Sequence, residues 1–299
     1  MDPNKSTIMK SARNMSGRIN WFPGHMAKAL KKVKEKIGKV DIIVEIRDAR
    51  VPLSSGNPSI KEVIGEKPHL VVLNKTNLAD QATCELWKKW FRDNSQAAVF
   101  VNALQPKSLK KITSTCRDIM KPRWQKFKNK GIKPPPLRLI IVGIPNTGKS
   151  TIINRLTNRN AAQTGDRPGV TRNQEWIVLG KDLELLDTPG IMPPRIETEE
   201  EGMWLCAIHA IKDEIIGKEQ VAAYVINQLL EIKSEQFKKR YHLNCLDHNA
   251  EELLLLIGKQ LNYKKQKGEI DIAKTCGQVL QDFRKGLLGP FSFERPPAG

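Results

Sequence analysis

The five cysteines of this 299-residue chain are scattered singly and form no CxxC pair. An odd number of isolated thiols excludes a disulfide framework and predicts reduced cysteines. Long apolar runs are also missing, because the longest, Leu137–Ile144 and Leu253–Ile257, fall far short of the roughly 20 residues that cross a bilayer. The N-terminus lacks the apolar core of a secretory signal. These absences predict a cytoplasmic protein with no membrane partner, and the mitochondrial matrix is the alternative compartment.

Acidic side chains are nearly absent from two stretches of the chain. These two stretches carry the excess of basic residues that gives the net charge of +18. Residues 1–40 hold 10 basic and 2 acidic side chains, and residues 107–138 hold 11 and 1. Clustered Lys and Arg release counterions from phosphates and so bind polyanions regardless of sequence. Both stretches carry aromatic rings that can stack on unpaired bases, namely Trp21, Phe22, Trp124 and Phe127. We therefore predict that both stretches bind RNA; the alternative is an ordinary solvated surface.

The first two thirds of the chain alternate apolar strand patterns with helical patterns. Short connections between them predict an α/β domain with a doubly wound, mostly parallel sheet. Amphipathic helical patterns follow, the first of them over Glu199–Ile216. The expected organisation is a flexible basic extension over 1–18, the α/β domain over 19–192, and a small all-α domain over 193–299. Lys121–Pro136 ends in three prolines and is predicted to be an extended connector.

The sequence GIPNTGKS (Gly143–Ser150) matches the P-loop pattern GxxxxGK[ST]. It follows an apolar strand and opens a helix, so its backbone N–H groups can wrap phosphates at a helix N-terminus. Lys149 is predicted to reach the β- and γ-phosphates and to assist catalysis, and the Ser150 hydroxyl is predicted to bind Mg²⁺. The nucleotide-binding residues expected from this segment are Pro145, Asn146, Thr147, Gly148, Lys149, Ser150 and Thr151.

A second phosphate-sensing motif, DTPG (Asp187–Gly190), follows the apolar segment LELL. Asp187 is predicted to hold Mg²⁺ through water, and the Gly190 N–H to contact the γ-phosphate. Thr171 lies between the two motifs and is the expected switch threonine that closes over Mg²⁺. The alternative for Thr171 is an ordinary loop residue.

The sequence NKTN (Asn74–Asn77) follows the apolar strand HLVVL, as a base-binding loop should. Asn74 is expected to contact the base and Lys75 to lie against it. Asn77 stands where an aspartate usually accepts hydrogen bonds from guanine N1–H and the 2-amino group. An amide has one acceptor and two donors, so it satisfies one of those contacts and opposes the other. Asn102 and Ala103, after a further strand, are predicted to form the second base-contacting loop.

The order of the three motifs is unusual. An ordinary small GTPase runs P-loop, DxxG, NKxD, whereas here NKTN comes before the P-loop and DTPG comes last. This order predicts a circularly permuted GTPase domain, in which the γ-phosphate sensor leads directly into the C-terminal helical domain.

Taken with these motifs, several further segments resemble the bacterial ribosome biogenesis GTPase A family, whose close relative is a mitochondrial ribosome-assembly GTPase. They are WFPGHMAKA (Trp21–Ala29), DARVPLSSGNP (Asp48–Pro58), TGDRPGVT and LELLDTPGI. The resemblance implies a permuted P-loop GTPase domain, a helical RNA-binding domain, and a monomer that binds GTP and GDP with Mg²⁺. It also implies action on the large ribosomal subunit and its rRNA late in assembly.

The resemblance also points to two catalytic devices. The residue after DTPG is Ile191, which cannot orient water, so unassisted turnover is expected to be slow. In the family, the histidine of the PGHM motif, here His25, is the proposed substitute, and the alternative is a structural or RNA-contacting histidine. Asn146 matches the P-loop asparagine of GTPases in which K⁺ replaces an arginine finger, and the alternative is a turn-forming asparagine.

Two other function classes remain open from sequence alone. A P-loop ATPase or small-molecule phosphotransferase accounts for the P-loop but leaves NKTN and the basic stretches unexplained. A nucleotide-gated RNA-binding scaffold with little hydrolysis agrees with Ile191 and Asn77.

Overall fold

A computed structural model describes residues 34–157, 176–179, 182–186, 196, 198–266 and 268–297. These residues form two compact units. The sheet unit contains the described residues up to 186 together with Ser292–Pro297, and the helical unit contains the described residues from 196 to Phe291. Within the described ranges, no helix combines the length and the apolar character needed to cross a membrane.

The sheet unit alternates strands and helices. Its strands are β1 (Ile42–Asp48), β2 (His69–Asn74), β3 (Ala98–Phe100), β4 (Leu137–Val142), β5 (Trp176–Val178) and β6 (Leu183–Leu186). Its helices are α1 (Pro58–Ile64), α2 (Gln81–Asp93), α3 (Pro106–Asn129) and α4 (Lys149–Leu156). The short helix α1 was not anticipated from the sequence.

The six strands form one sheet in the order β3-β2-β1-β4-β6-β5. All neighbours are parallel except β5, which pairs antiparallel with β6. Helices cover both faces: α3 and α4 contribute to one buried cluster, and α1 and α2 contribute to the opposite face. The prediction of a doubly wound, mostly parallel sheet is confirmed.

The strand order places a crevice between β1 and β4. From β1 the chain continues to β2 on one side, and from β4 it continues to β5 and β6 on the other. Ligands of open α/β sheets bind where the order reverses in this way, beyond the carboxyl ends of the strands. Both loops predicted to bind nucleotide, after β2 and after β4, start at this edge.

Helix α3 corrects the predicted connector over Lys121–Pro136. The helix continues to Asn129, although Pro122 lies inside it and has no N–H to donate. Its apolar face also continues, because Met120 is buried and Trp124 packs half-buried against the core of the sheet unit. Packing of that face outweighs one lost backbone hydrogen bond.

The helical unit contains five α-helices in its described part. They are α5 (Glu199–Ala207), α6 (Lys218–Glu231), α7 (Glu235–Arg240), α8 (Ala250–Gln260) and α9 (Ile272–Lys285). The single helix predicted over Glu199–Ile216 is wrong: α5 ends at Ala207, and a 3-10 turn follows at Asp213–Ile215. His209, with φ of 64°, adopts the left-handed conformation that terminates helices.

The described end of the chain returns to the sheet unit. We call Ser292–Arg295 the C-terminal clasp. The Glu294 carboxylate accepts hydrogen bonds from the backbone N–H groups of Leu53 and Ser54, at 2.7 and 2.8 Å, and from the Ser54 hydroxyl. The Trp87 indole donates to the Glu294 carbonyl at 3.1 Å. Glu294 is buried by these contacts, so the clasp is part of the fold of the sheet unit.

Candidate nucleotide-binding site

The loop between β4 and α4 has the backbone of a phosphate cradle. Gly143 and Gly148 both have positive φ, 147° and 95°. A Cβ at Gly143 would collide with the Ile46 carbonyl, and one at Gly148 with the Asn74 side chain. Only glycine fits at either position. Because α4 begins at Lys149, the N–H groups of its first turn have no carbonyl partner within the helix and face the crevice end.

Two side chains of this loop donate hydrogen bonds to the backbone of the loop itself. Thr147 is fully buried, and its hydroxyl donates to the Ile144 carbonyl at 3.0 Å. The Lys149 ammonium donates to the same carbonyl at 2.7 Å and is buried. Ser150 and Pro145 are half-buried and Asn146 is exposed, with φ of 60°. The loop therefore keeps Lys149 at its centre and leaves its outer backbone accessible.

Asn74 joins three predicted elements of the site. Its amide nitrogen donates to the Thr147 carbonyl of the P-loop at 2.8 Å. Its amide oxygen accepts from the Ala103 N–H of the second base loop at 3.0 Å. Asn74 is 2% exposed, so both hydrogen bonds are shielded from water. The structure thus brings together the two loops after β2 and β3 and the P-loop, which are far apart in sequence.

Lys75 makes a second link to the P-loop. Its ammonium donates to the Asn146 carbonyl at 2.5 Å and lies 3.0 Å from the Asp48 carboxylate at the end of β1. Burial lowers the pKa of Lys75, and the Asp48 charge opposes that effect. Lys75 has φ of 63°, a conformation that its bonds to the Asp48 carboxylate and the Asn146 carbonyl hold in place.

Asp48 and Arg50 are structural residues of the site that sequence reasoning did not assign. The Arg50 guanidinium binds the Asp48 carboxylate through two nitrogens, at 2.9 and 2.8 Å. Burial by itself would raise the pKa of Asp48, but Arg50 and Lys75 outweigh it and hold the pKa below its ordinary value. Asp48 therefore stays ionised and anchors Lys75. The DARVP segment quoted above contained the signal, since a charged pair directly after an apolar strand is unusual.

Asn77 and Asn102 lie on the rim of the base loops. Asn77 is exposed, and no hydrogen bond to its side chain occurs among the described residues. Asn102 is half-buried, and its side-chain oxygen accepts from the Leu104 N–H at 2.9 Å. Asn102 therefore shapes the second loop, whereas the Asn77 amide is available to a ligand.

Four predicted site residues, His25, Thr171, Asp187 and Gly190, lie outside the described residues, as does Ile191. In the part of the chain that the structure covers, no group of three His, Cys, Asp or Glu side chains could hold a metal ion. The donor set nevertheless fits Mg²⁺ bound to a nucleotide, because a single hydroxyl such as that of Ser150, at the start of α4, suffices when phosphates supply the other ligands.

The glycine cradle, the buried Lys149 and the base loop bonded to it define a P-loop GTPase whose base-binding strands precede the P-loop strand in the chain. A model of the 50S ribosome-binding GTPase family matches residues 138–263. The structure is similar to that of GNP-bound YlqF from T. maritima, with a TM-score of 0.64 and 25% identity over 91% of this chain and 100% of that one.

Relatives match almost the whole chain. Ribosome biogenesis GTPase A of Bacillus cereus is 45% identical over 278 residues, which is 93% of this chain and 94% of the relative. Mitochondrial ribosome-associated GTPase 1 of Bos taurus is 30% identical over 296 residues, 92% of this chain and 88% of the relative. The chain belongs to the ribosome biogenesis GTPase A family. The predicted family is confirmed, together with GTP as its substrate and Mg²⁺ as the metal typical of such enzymes.

Proposed function

We propose that this protein hydrolyses GTP as an assembly factor of the large ribosomal subunit and binds its rRNA in the cytoplasm. The observation that carries the proposal is the bonding of the base loop to the P-loop through Asn74 and Lys75. A phosphotransferase of another class needs no such joint between a base-reading loop and the phosphate loop. The high similarity to ribosome biogenesis GTPases over nearly the whole chain supports the ribosomal role.

In this proposal, the backbone of Asn146 to Ser150 binds the phosphates. Lys149 exchanges its bond to the Ile144 carbonyl for the β- and γ-phosphates. Ser150, Thr171 and Asp187 hold Mg²⁺, which neutralises charge on the phosphates when bound. The Gly190 N–H senses the γ-phosphate, and the chain continues from there into the helical unit. Loss of the γ-phosphate is thereby linked through the backbone to the RNA-binding part.

Hydrolysis needs help from outside the site, because Ile191 cannot orient water. We assign that help to His25, which would approach the γ-phosphate when the ribosomal particle orders the N-terminal segment. Asn146 is the proposed K⁺ ligand, since its exposed side chain stands at the phosphate end of the loop. His25→Ala should keep GTP affinity and lose particle-stimulated turnover; stimulated turnover in this variant would remove His25 from the mechanism.

The test is GTP turnover with and without purified large subunits, in KCl and again in NaCl, with excess ATP as competitor. Stimulation by the subunits that ATP does not reduce supports the proposal, and a lower rate in NaCl supports the K⁺ site. Lys149→Ala serves as the control that must lose nucleotide binding. Strong competition by ATP would instead indicate a P-loop ATPase or phosphotransferase.

A second candidate is an RNA-binding scaffold that binds nucleotide and hydrolyses it little. Asn77 favours it, because an exposed amide replaces the charged acceptor of guanine. Tight GTP-dependent binding to large subunits, with turnover that subunits do not raise, would decide for this candidate.

A further inference from the structure

Helix α3 presents the densest group of exposed cations in the described part of the sheet unit. It is 24 residues long, about 36 Å at 1.5 Å per residue. Exposed basic side chains run along it and past its end. We call the α3 basic surface the set Lys107, Lys110, Lys111, Lys126, Lys128, Lys130 and Lys133.

These seven lysines differ from the other cations of the helix in their pairing. Three other cations of the helix are neutralised, Arg117 by Asp182 at 2.6 Å, Lys121 by Asp118 at 2.6 Å and Arg123 by Asp41. Among the described residues, no ion pair involves any of the seven lysines. Like charges at helical spacing repel one another, and the repulsion is relieved only by an anion from outside the fold.

Helix α2, on the opposite face of the sheet, provides the contrast. Its exposed cations are interspersed with acids: Lys88 pairs with Glu85 at 2.6 Å, and Arg92 lies 3.8 Å from Asp93. The two helices cover the same sheet and both are amphipathic, so fold stability alone does not require the unpaired charge of α3.

One of the two aromatic residues of α3 is used for packing. Trp124 lies against the buried cluster, and Phe127 is half-buried. The expectation that Trp124 stacks on bases is therefore replaced by a structural role for its ring. What the helix offers to a ligand is mainly the charge of its exposed lysines, and such a surface contacts phosphates rather than base edges.

Resting on the proposed function, we propose that the α3 basic surface is a binding site for the phosphodiester backbone of RNA, separate from the helical unit. Lys126, Lys128 and Lys130 lie at the end of the helix, where no acidic side chain occurs between Lys121 and Arg138. The contacts are independent of base sequence. The partner is folded RNA, whose closely spaced phosphates match lysines that recur over several helical turns.

The experiment compares two triple variants of the full chain with the unmodified protein. One carries Lys126→Gln, Lys128→Gln and Lys130→Gln; the matched control carries Lys88→Gln, Lys89→Gln and Arg92→Gln on α2 and loses the same charge. The probe is a 30-nucleotide RNA hairpin of arbitrary sequence, and its Kd is measured between 50 and 200 mM KCl. GTP affinity of each variant verifies that the sheet unit is folded.

We expect the α3 variant to lower the slope of log K against log salt by about 2, since each lost phosphate contact removes roughly 0.7–0.9. The α2 variant should change the slope by less than about 1, because two of its three cations, Lys88 and Arg92, are already paired with acids. Equal effects of the two variants, or no effect of the α3 variant, would overturn the assignment of this surface.

Two further outcomes distinguish a failure of the proposed rRNA-binding function from a failure of the α3 assignment. If the unmodified protein binds neither the hairpin nor large-subunit rRNA, the proposed rRNA-binding function itself fails. If the α3 variant keeps full RNA affinity but no longer binds vesicles of 70% phosphatidylcholine and 30% phosphatidylserine, the surface is a membrane site and the RNA assignment is wrong.

Discussion

Replacing Asn77 by Asp tests how this chain recognises its base. The other members of the site are fixed by the Asn74 and Lys75 hydrogen bonds. Asn77 is exposed, and no described residue bonds to its side chain, so the substitution changes the rim of the site without disturbing the fold. Guanine presents two donors there, N1–H and the 2-amino group. An amide meets them with one acceptor and an opposing donor, whereas a carboxylate accepts from both.

The expected gain follows from the strength of a hydrogen bond to a charged group. Such a bond contributes about 1.5–3 kcal/mol, against about 0.5–1.5 kcal/mol for a neutral pair. Since 1.36 kcal/mol is a factor of ten, adding one charged contact should tighten GTP binding by about 10- to 150-fold. Asp80 lies three residues further along the chain and would repel the new carboxylate at residue 77. Because Asp80 is partly exposed, solvent and salt screen this repulsion and keep it small.

The assay is titration of both proteins with GTP and with inosine triphosphate, which lacks the 2-amino group. The unmodified protein should discriminate weakly between the two nucleotides. Asn77→Asp should discriminate strongly, because the new carboxylate oxygen accepts from the 2-amino group of guanine, which inosine triphosphate lacks. Melting temperatures without nucleotide should agree between the two proteins. An unchanged ratio of the two affinities would show that residue 77 does not accept hydrogen bonds from the guanine base.

Four other substitutions, one of them a control, probe the sheet unit. Gly148→Ala should weaken GTP binding at least about tenfold, whereas Gly131→Ala, also at positive φ but with open space around its Cβ position, should leave it unchanged; fluorescent-nucleotide titration checks both. Glu294→Ala should lower the free energy of unfolding by about 1–3 kcal/mol in urea, because two partly buried N–H groups lose a charged acceptor, and an unaltered midpoint would contradict the clasp. Asp48→Asn should cost about 3–5 kcal/mol in the same assay, since it leaves the Arg50 guanidinium buried without its counter-charge.

The parts of the fold that the sequence predicted are those with local signals. The strands β1, β2 and β4 are continuous apolar runs, and the P-loop pattern fixes its own strand and helix. The alternation of strands and helices predicted a mostly parallel sheet, but which strands pair was known only from the structure.

The features that escaped prediction depend on contacts distant in sequence or on competing local effects. The three prolines at 134–136 suggested an extended connector from Lys121 onward, yet the packing of Trp124 carries α3 to Asn129. His209 gives no sign of ending a helix, since its positive φ is set by the fold around it. The ion pair between Lys75 and Asp48 forms because the ends of β1 and β2 lie side by side, with Asp48 opposite Asn74. The sequence does not give this register, so it could not predict the pair.

The clasp has a practical consequence for dividing this protein into parts. Because Ser292–Pro297 belong to the sheet unit, the helical unit is an insertion with both of its ends joined to that unit. A fragment that stops before residue 195 therefore discards the C-terminal clasp, which belongs to the unit that it is meant to isolate, and exposes the Trp87 indole and the N–H groups of Leu53 and Ser54. A minimal GTP-binding fragment must instead rejoin those residues through a linker in place of the helices.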